Sequence, residues 1–405
     1  MRSRPCGGAR RDYRLRLSQA VRQRAMALAA AAAVLLLPGR ASAQSADVNG
    51  LAALAGSWSF NSTFDPYASL RVIPAVDFSL TAGRRVNVDG EVSVNAIGTV
   101  EFPSGESAHT SGSVDAYRAW LRFAATRVEA RVGLQEISFG SATLFRPLMW
   151  FDSLDPRDPL QLTEGVYALL LRYYTSGNAV FSGWVMYGND AQRGWDIAPP
   201  DGDSPEFGGR VQVPFFKGEL GAAYHHRKAE LSAIAPSEPP AAQAPVEPVP
   251  EDRFGFDGKW DVGVGVWVEA AIVHQDSPLL PTPYQRAFTV GVDYTFGLGN
   301  GLTALAEHFR LDSSAGAFSG GDAQSFSALF LRYPLGLLDE LTGIFYYDWK
   351  SGDFSRFVAW KRTYDSLALN VILFSNPEQV TVFPGQVSSS SFAGTGVQVL
   401  LSYNF

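Results

Sequence analysis

The sequence predicts an all-β chain that folds as a transmembrane, antiparallel, up-and-down β-barrel of about 18 strands. Three observations lead to this prediction. Long stretches alternate apolar and polar residues with a period of two, short turns alternate with longer links, and beyond residue 43 no apolar run is long enough for a membrane helix. A barrel of about 16 strands is the main alternative count, and a soluble β-sandwich is the alternative class.

Residues 1–43 predict a signal peptide for export. Two arginines precede an apolar run from Ala25 to Leu37, which is followed by the small-residue cleavage site Ala41-Ser42-Ala43. The run has 13 residues, whereas a helix that spans a bilayer needs roughly 20. We therefore expect the exported chain to begin near Gln44 and residues 44–405 to form a single barrel domain.

Without this segment the chain is acidic and has no thiol. Residues 1–43 contain nine arginines and one acidic residue, so residues 44–405 hold 24 basic and 39 acidic side chains, a net charge of about −15. The one cysteine, Cys6, lies in the predicted signal peptide, which excludes a disulfide framework or a thiolate metal site in the barrel. The acidic balance argues against a nucleic-acid partner.

Residues 86–102, VNVDGEVSVNAIGTVEF, show the alternation most clearly. Their even positions are valine, glycine, alanine and phenylalanine, and their odd positions are mostly polar. Strands of globular proteins have about 5 or 6 residues, whereas a barrel strand crosses the membrane in about 9–11 and continues beyond it. The same pattern recurs in 114–123, 253–260 and 286–296, and aromatic residues lie near the strand ends, which is typical of girdles at membrane interfaces.

The links between the candidate strands alternate in length. The first of the 18 candidates begins near Ala53 and the last near Gly396. Links such as 175–178 and 297–301 are short, and they alternate with longer links that include 140–165, 189–208, 232–252 and 375–394. Short periplasmic turns, longer outer loops and an even strand count predict that both termini lie in the periplasm.

The last residues alternate up to the final aromatic residue. Val397, Val399, Leu401, Tyr403 and Phe405 share one face. This strand resembles the terminal strand of bacterial outer-membrane proteins. The resemblance implies a location in the bacterial outer membrane, contact with its lipid, and recognition by the barrel-assembly machinery through Phe405. A second stretch, VGLQEISFG at 132–140, resembles porin-like outer-membrane families, for which a homotrimer is a reasonable expectation.

The histidines do not form a recognisable catalytic motif. His225 and His226 are adjacent on a predicted strand, so their rings point to opposite faces. His308 follows Glu307 and has no serine motif around it, whereas a lipid hydrolase needs a serine–histidine pair held by a third polar group. We therefore predict that the chain is not an enzyme and that it has no cofactor.

Charged residues recur on the face that the alternation predicts to be inward. A barrel of this size leaves an aqueous channel, and charges across a channel influence the passage of ions and small polar solutes. The predicted lumen-lining residues are Arg118, Arg122, Glu129, Arg131, Arg172, Arg210, Asp257, Lys259 and Asp293.

Residues 141–165, SATLFRPLMWFDSLDPRDPLQLTEG, are too apolar for a solvated loop and too rich in proline for a helix. We predict that this loop dips into the lumen and forms a constriction; a subunit contact or simple packing are the alternatives. The residues predicted to line the opening are Arg146, Asp152, Asp155, Arg157 and Asp158. The spacing of the aspartates differs from that of a calcium-binding EF-hand loop, so no metal site is predicted.

These observations predict an outer-membrane porin-like channel for the passive diffusion of small polar or charged solutes. Two other functions remain open. One is a barrel-embedded enzyme that acts on lipid, and the other is a surface-binding barrel with a plugged lumen.

Overall fold

The structure, a computed structural model, describes residues 42–60, 66–82, 86–103, 107–231, 247–277, 280–377 and 392–405. Within these ranges the chain forms 18 antiparallel strands, each paired with its neighbours in sequence, and the last strand pairs with the first to close the barrel. The predicted up-and-down β-barrel and its count of 18 strands are therefore confirmed. No helix in the described ranges is long and apolar enough to cross a membrane.

The strands have the following bounds: β1 (Ser42–Ser59), β2 (Tyr67–Ala82), β3 (Val86–Glu101), β4 (His109–Ala124), β5 (Val128–Gln135), β6 (Val166–Tyr174), β7 (Val180–Met186), β8 (Glu206–Phe215), β9 (Gly218–Ala229), β10 (Val249–Asp261), β11 (Gly265–Gln275), β12 (Tyr284–Phe296), β13 (Leu302–Ser314), β14 (Asp322–Pro334), β15 (Asp339–Asp348), β16 (Phe354–Thr363), β17 (Leu367–Ser375) and β18 (Thr395–Asn404).

The first strand begins earlier than predicted, at Ser42 instead of near Ala53. Its first half mixes small and polar residues, so alternation gives no signal there, but its backbone pairs with β2 over nearly its whole length. The predicted signal peptide lies outside the described residues except for Ser42 and Ala43, which belong to β1. Its cleavage therefore stays a prediction.

The two ends of the barrel differ in the length of the segments that connect the strands. Short turns such as 216–217 and 297–301 lie at one end, and long links such as 136–165 and 187–205 lie at the other. We call these the short-turn end and the long-link end. The predicted loops 140–165 and 189–208 correspond to these two long links. The predicted loops 232–252 and 375–394 lie largely outside the described residues, and part of the former belongs to β10.

Side chains along each strand alternate between the two faces of the wall. On β12, Phe288 and Val290 are 46% and 43% exposed, whereas Thr289 between them is fully buried. The exposed set forms an apolar outer belt, as expected for a wall that faces lipid. The buried set faces the lumen.

The main apolar core lies inside the lumen. It joins side chains of the link 136–165, including Phe145, Leu148 and Trp150, to inner-face residues of strands from β6 to β17. A barrel of this size would otherwise enclose a wide aqueous channel. The link between β5 and β6 therefore controls how much of the lumen is filled.

Candidate functional site

The link 136–165, which we call the inner loop, packs its aromatic side chains against the inner wall. Phe145 is fully buried and stacks on Phe309 of β13 at a ring distance of 5.3 Å, with Tyr346 of β15 edge-on at 5.6 Å. Phe151 contacts Trp184 of β7 at 5.4 Å. Aromatic rings bury large apolar areas, and such contacts fix the loop inside the barrel.

Glu269 of β11 binds the backbone of the inner loop. One carboxylate oxygen accepts hydrogen bonds from the N–H groups of Ser141 and Ala142 at 2.7 and 2.8 Å. The other accepts a hydrogen bond from the N–H of Leu148 at 2.7 Å. A loop that crosses the interior leaves backbone donors without sheet partners, and such buried donors need acceptors. Glu269 supplies acceptors for three of them.

Glu307 of β13 does the same for the next part of the loop. Its oxygens accept the N–H groups of Thr143, Leu144 and Phe145 at 2.7, 2.9 and 2.7 Å, and Trp267 Nε1 also donates to it at 3.0 Å. The two glutamates together hold the backbone of 141–148. That these glutamates bind the loop was not predicted from the sequence. The one signal in the sequence was that each glutamate lies between apolar residues on the inward face of its strand.

Four of the five predicted constriction residues form ion pairs within the inner loop. Arg146 donates to both oxygens of Asp152 at 2.9 and 3.1 Å, and Arg157 Nη2 donates to Asp155 at 2.7 Å. All four side chains are buried. The structure thus brings them together in two pairs that shape the loop, and their predicted contact with a solute stays a prediction.

Asp158, the fifth predicted constriction residue, is half-buried and accepts the N–H of Leu160 at 2.9 Å. Burial raises the pKa of Asp158 above its ordinary value, and the positive charge of Arg71 on β2 opposes this shift. Asp158 lies beside the Arg157–Asp155 pair, because its N–H donates to the carbonyl of Asp155 at 3.1 Å.

All nine predicted lumen-lining residues lie on the inner face of the wall. Two of them hold the inner loop in place. Arg118 donates to Glu136 and to the carbonyl of Thr163, both at 3.0 Å, so it joins the two ends of the loop. Asp257, paired with Arg210, accepts the hydroxyl of Ser141 at 3.0 Å.

Three arginines converge on one glutamate near the short-turn end. Arg122, Arg131 and Arg172 lie 3.8, 3.8 and 3.3 Å from the carboxylate of Glu129, and Arg122 also pairs with Asp89 at 2.8 Å. We call the three the arginine cluster. It outnumbers its two carboxylate partners, and its side chains remain 34%, 19% and 28% exposed.

Arg131 is the least satisfied member of the arginine cluster. Its guanidinium lies over the ring of Trp120 at 4.6 Å, and its buried Nε has no hydrogen-bond partner among the described residues. A guanidinium presents donors in a planar fork that suits carboxylate and phosphate groups. The cluster can therefore attract an anion.

The two remaining predicted lumen residues lie at the rim of a cavity of about 690 Å³ at the short-turn end. Lys259 and Asp293 line it, together with Lys217, Glu219 and Asp261. The lining mixes both charges, and the cavity opens toward solvent. Within the described residues the inner face is thus in contact with solvent near the short-turn end. Farther toward the long-link end the inner loop fills the lumen.

The link 187–205 also enters the lumen, which sequence reasoning missed. Asp196 accepts from Arg227 and Arg253 at 2.9 and 2.8 Å, and all three side chains are buried. Trp195 donates to the carbonyl of Arg146 at 3.0 Å. This second link braces the inner loop from the long-link end.

The histidines are placed as the strand alternation predicts. His225 is buried inside the barrel, where Trp184 donates to its Nδ1 at 3.2 Å, and His226 points outward beside Asp252 at 2.8 Å. His308 is exposed on the outer face, with Nδ1 3.0 Å from the hydroxyl of Ser327. The described residues contain no group of three side chains arranged to hold a metal ion.

No family model and no curated protein matches the chain. Among solved structures it is similar to OccK5 (OpdH) of Pseudomonas aeruginosa, with 11% identity and a TM-score of 0.54 over 89% of this chain and 98% of the other. It is also similar to OccAB4 of Acinetobacter baumannii, with 8% identity and a TM-score of 0.54 over 91% and 99%. At these identities the likeness is one of fold alone, that of a closed antiparallel β-barrel.

Proposed function

We propose that the protein is an outer-membrane channel for the passive diffusion of small polar or charged solutes, with the inner loop as its constriction. One observation carries the proposal. The loop crosses the lumen with its backbone bound to Glu269 and Glu307, while charged side chains of the inner face near the short-turn end remain in contact with solvent. A loop held in this way narrows a passage and leaves a polar vestibule beside it.

Reconstitution into planar bilayers tests the channel. The folded barrel is expected to show discrete conductance steps in potassium chloride. A correctly folded barrel that gives no steps would contradict the channel and favour the plugged, surface-binding barrel. That alternative has support of its own, because Phe145, Phe309 and Phe326 are almost completely buried inside the lumen.

The arginine cluster favours anions over cations among the permeating solutes. Arg131 and Arg172 are replaced together by glutamine, which removes two positive charges from the inner face. The reversal potential in a potassium chloride gradient is then expected to move toward the equilibrium potential of potassium. The matched control is Arg310→Gln on the outer face, which should leave the reversal potential unchanged. An equal shift in both variants would mean that the cluster does not set selectivity.

A lipid-directed enzyme is the second candidate, and one observation favours it. His308 and Ser327 form a histidine–serine pair on the outer face, where membrane lipid would reach it. Trp349 Nε1 donates to the same hydroxyl at 2.9 Å, so this oxygen already accepts a hydrogen bond. Hydrolysis of a labelled phospholipid that disappears in His308→Ala and persists in His226→Ala would support the enzyme.

Export, insertion and assembly complete the proposal. We infer export through a cleaved signal peptide, delivery to the barrel-assembly machinery through the strand that ends at Phe405, and residence in outer-membrane lipid. The exposed aromatic residues Tyr403 and Phe405 on the terminal strand support contact with that lipid. The homotrimer stays a prediction.

A further inference from the structure

Four neighbouring turns at the short-turn end each project a large apolar side chain. They join β8 to β9, β10 to β11, β12 to β13 and β14 to β15, so they follow one another along one sector of the rim. Their side chains Phe216, Val262, Leu298 and Leu337 are 79%, 49%, 59% and 104% exposed. We call these four residues the apolar rim.

The other described short turns are mostly polar, although Tyr364 between β16 and β17 is 46% exposed. Those between β4 and β5, β6 and β7, and β16 and β17 expose Arg127, Ser176 and Asp365. Turn formation therefore does not require an apolar tip. Phe216 even occupies the left-handed backbone region, with φ of 56°, which bulky side chains rarely adopt. Apolar side chains clustered in this way indicate contact with an apolar partner.

The opposite end of the same sector shows the complementary pattern. On the outer face of β13 the apolar residues run only from Leu302 to Ala306, and His308 and Arg310 follow, both exposed. Residues 302–306 rise about 13 Å along the strand, whereas the apolar band of a membrane barrel is about 25 Å tall. Leu298, in the turn that precedes β13 at the short-turn end, extends the apolar stretch 302–306 beyond the end of the strand.

Neighbouring strands repeat this displacement. Polar side chains point outward near the long-link end of β9 to β12, namely His226, Asp252, His274 and Arg286. Toward the short-turn end the outward residues of β8 to β14 are apolar up to the turns, including Phe215, Phe296 and Leu335. On β15 Asp339 is the exception, and it pairs with Arg362. On this sector the apolar band is therefore shifted as a whole toward the short-turn end.

We propose that the apolar rim is a lipid-binding surface that lies among phospholipid acyl chains of the leaflet at the short-turn end. The barrel consequently sits tilted, with the sector from β8 to β15 deeper in that leaflet. Lipid is the occupant because from β8 to β14 the rim continues the lipid-facing belt without a polar break; on β15 the belt is interrupted by Asp339, which pairs with Arg362. Lys217 and Asn300, exposed beside Phe216 and Leu298, lie where headgroups would meet them. This inference rests on the membrane location in the proposed function.

Single-cysteine labelling tests the surface, because Cys6 is the one cysteine of the sequence. In the full chain carrying Cys6→Ser, the rim variants are Phe216→Cys, Leu298→Cys and Leu337→Cys. Ser176→Cys and Asp365→Cys report polar turns of the same end, and Val290→Cys reports the middle of the belt. Each is labelled with an environment-sensitive fluorophore and folded into vesicles of phosphatidylethanolamine and phosphatidylglycerol. Aqueous iodide and spin-labelled phospholipid serve as quenchers.

Rim labels are expected to be quenched by spin-labelled lipid and to be severalfold less sensitive to iodide than labels at Ser176 and Asp365. Iodide quenching equal to that of the polar turns would overturn the inference, since the rim would then lie in water. Protection from both quenchers would also overturn it, because a second protein surface would cover the rim. A label at Val290 that lipid does not quench would instead refute the membrane location itself.

Discussion

Replacing Glu269 and Glu307 together by glutamine is expected to release the inner loop and to raise the single-channel conductance. Six backbone N–H groups of the loop donate to these two carboxylates. An amide offers one acceptor oxygen and turns its NH₂ group toward the remaining donors, so buried donors lose their partners. At about 2 kcal/mol for one buried donor left without a partner at each replaced glutamate, the free energy of unfolding should fall by about 4 kcal/mol.

The measurements are single-channel conductance and urea unfolding of the barrel in vesicles. The matched control is Asp252→Asn with Asp312→Asn, which alters two carboxylates on the outer face of the barrel, away from the lumen. The control should retain the conductance of the unaltered barrel. A large loss of stability without a change in conductance would show that the glutamates support the fold but that the loop does not limit the passage.

Deleting residues 144–160 is the second change with a large expected effect. It removes the aromatic part of the inner loop and both of its ion pairs, and the conductance should rise severalfold because the lumen of a barrel of this size is otherwise wide. Inner-face residues such as Phe309 and Phe326 would then meet water, so the folded barrel should also be less stable.

A deletion of 316–319 provides the control, because it shortens the link between β13 and β14 at the long-link end and leaves the inner loop intact. Only molecules that remain folded, as judged by resistance to unfolding at room temperature in detergent, enter the comparison. Equal conductance of the two deletions would mean that another element, such as the link 187–205, sets the narrowest point.

The strands could be predicted because their pattern is local. Alternation between Phe288, Thr289 and Val290 follows from the geometry of an extended chain, whose successive side chains point to opposite faces. The same rule placed the nine predicted charged residues on the inner face. It failed at the start of β1, where small and polar residues alternate with no apolar contrast and cross-strand pairing with β2 defines the strand.

The interior of the barrel could not be predicted in this way. Glu269 is 128 residues from Ser141, to which it binds, and Glu307 is 162 residues from Phe145. No local pattern connects such positions. The sequence likewise gave no sign that four of the five charged residues predicted to line the opening form two ion pairs within the inner loop.

The sequence left the strand count open between 16 and 18. By itself it determined the class of fold, the direction in which most side chains point and the unusual character of 141–165. Each of these depends on neighbours in the chain and on the period of two. Only the tertiary structure decided which inner-face groups hold the loop, that a second link braces it, and that the apolar band is displaced on one sector. These depend on which strands face each other across the lumen, and closure of all 18 strands sets that arrangement.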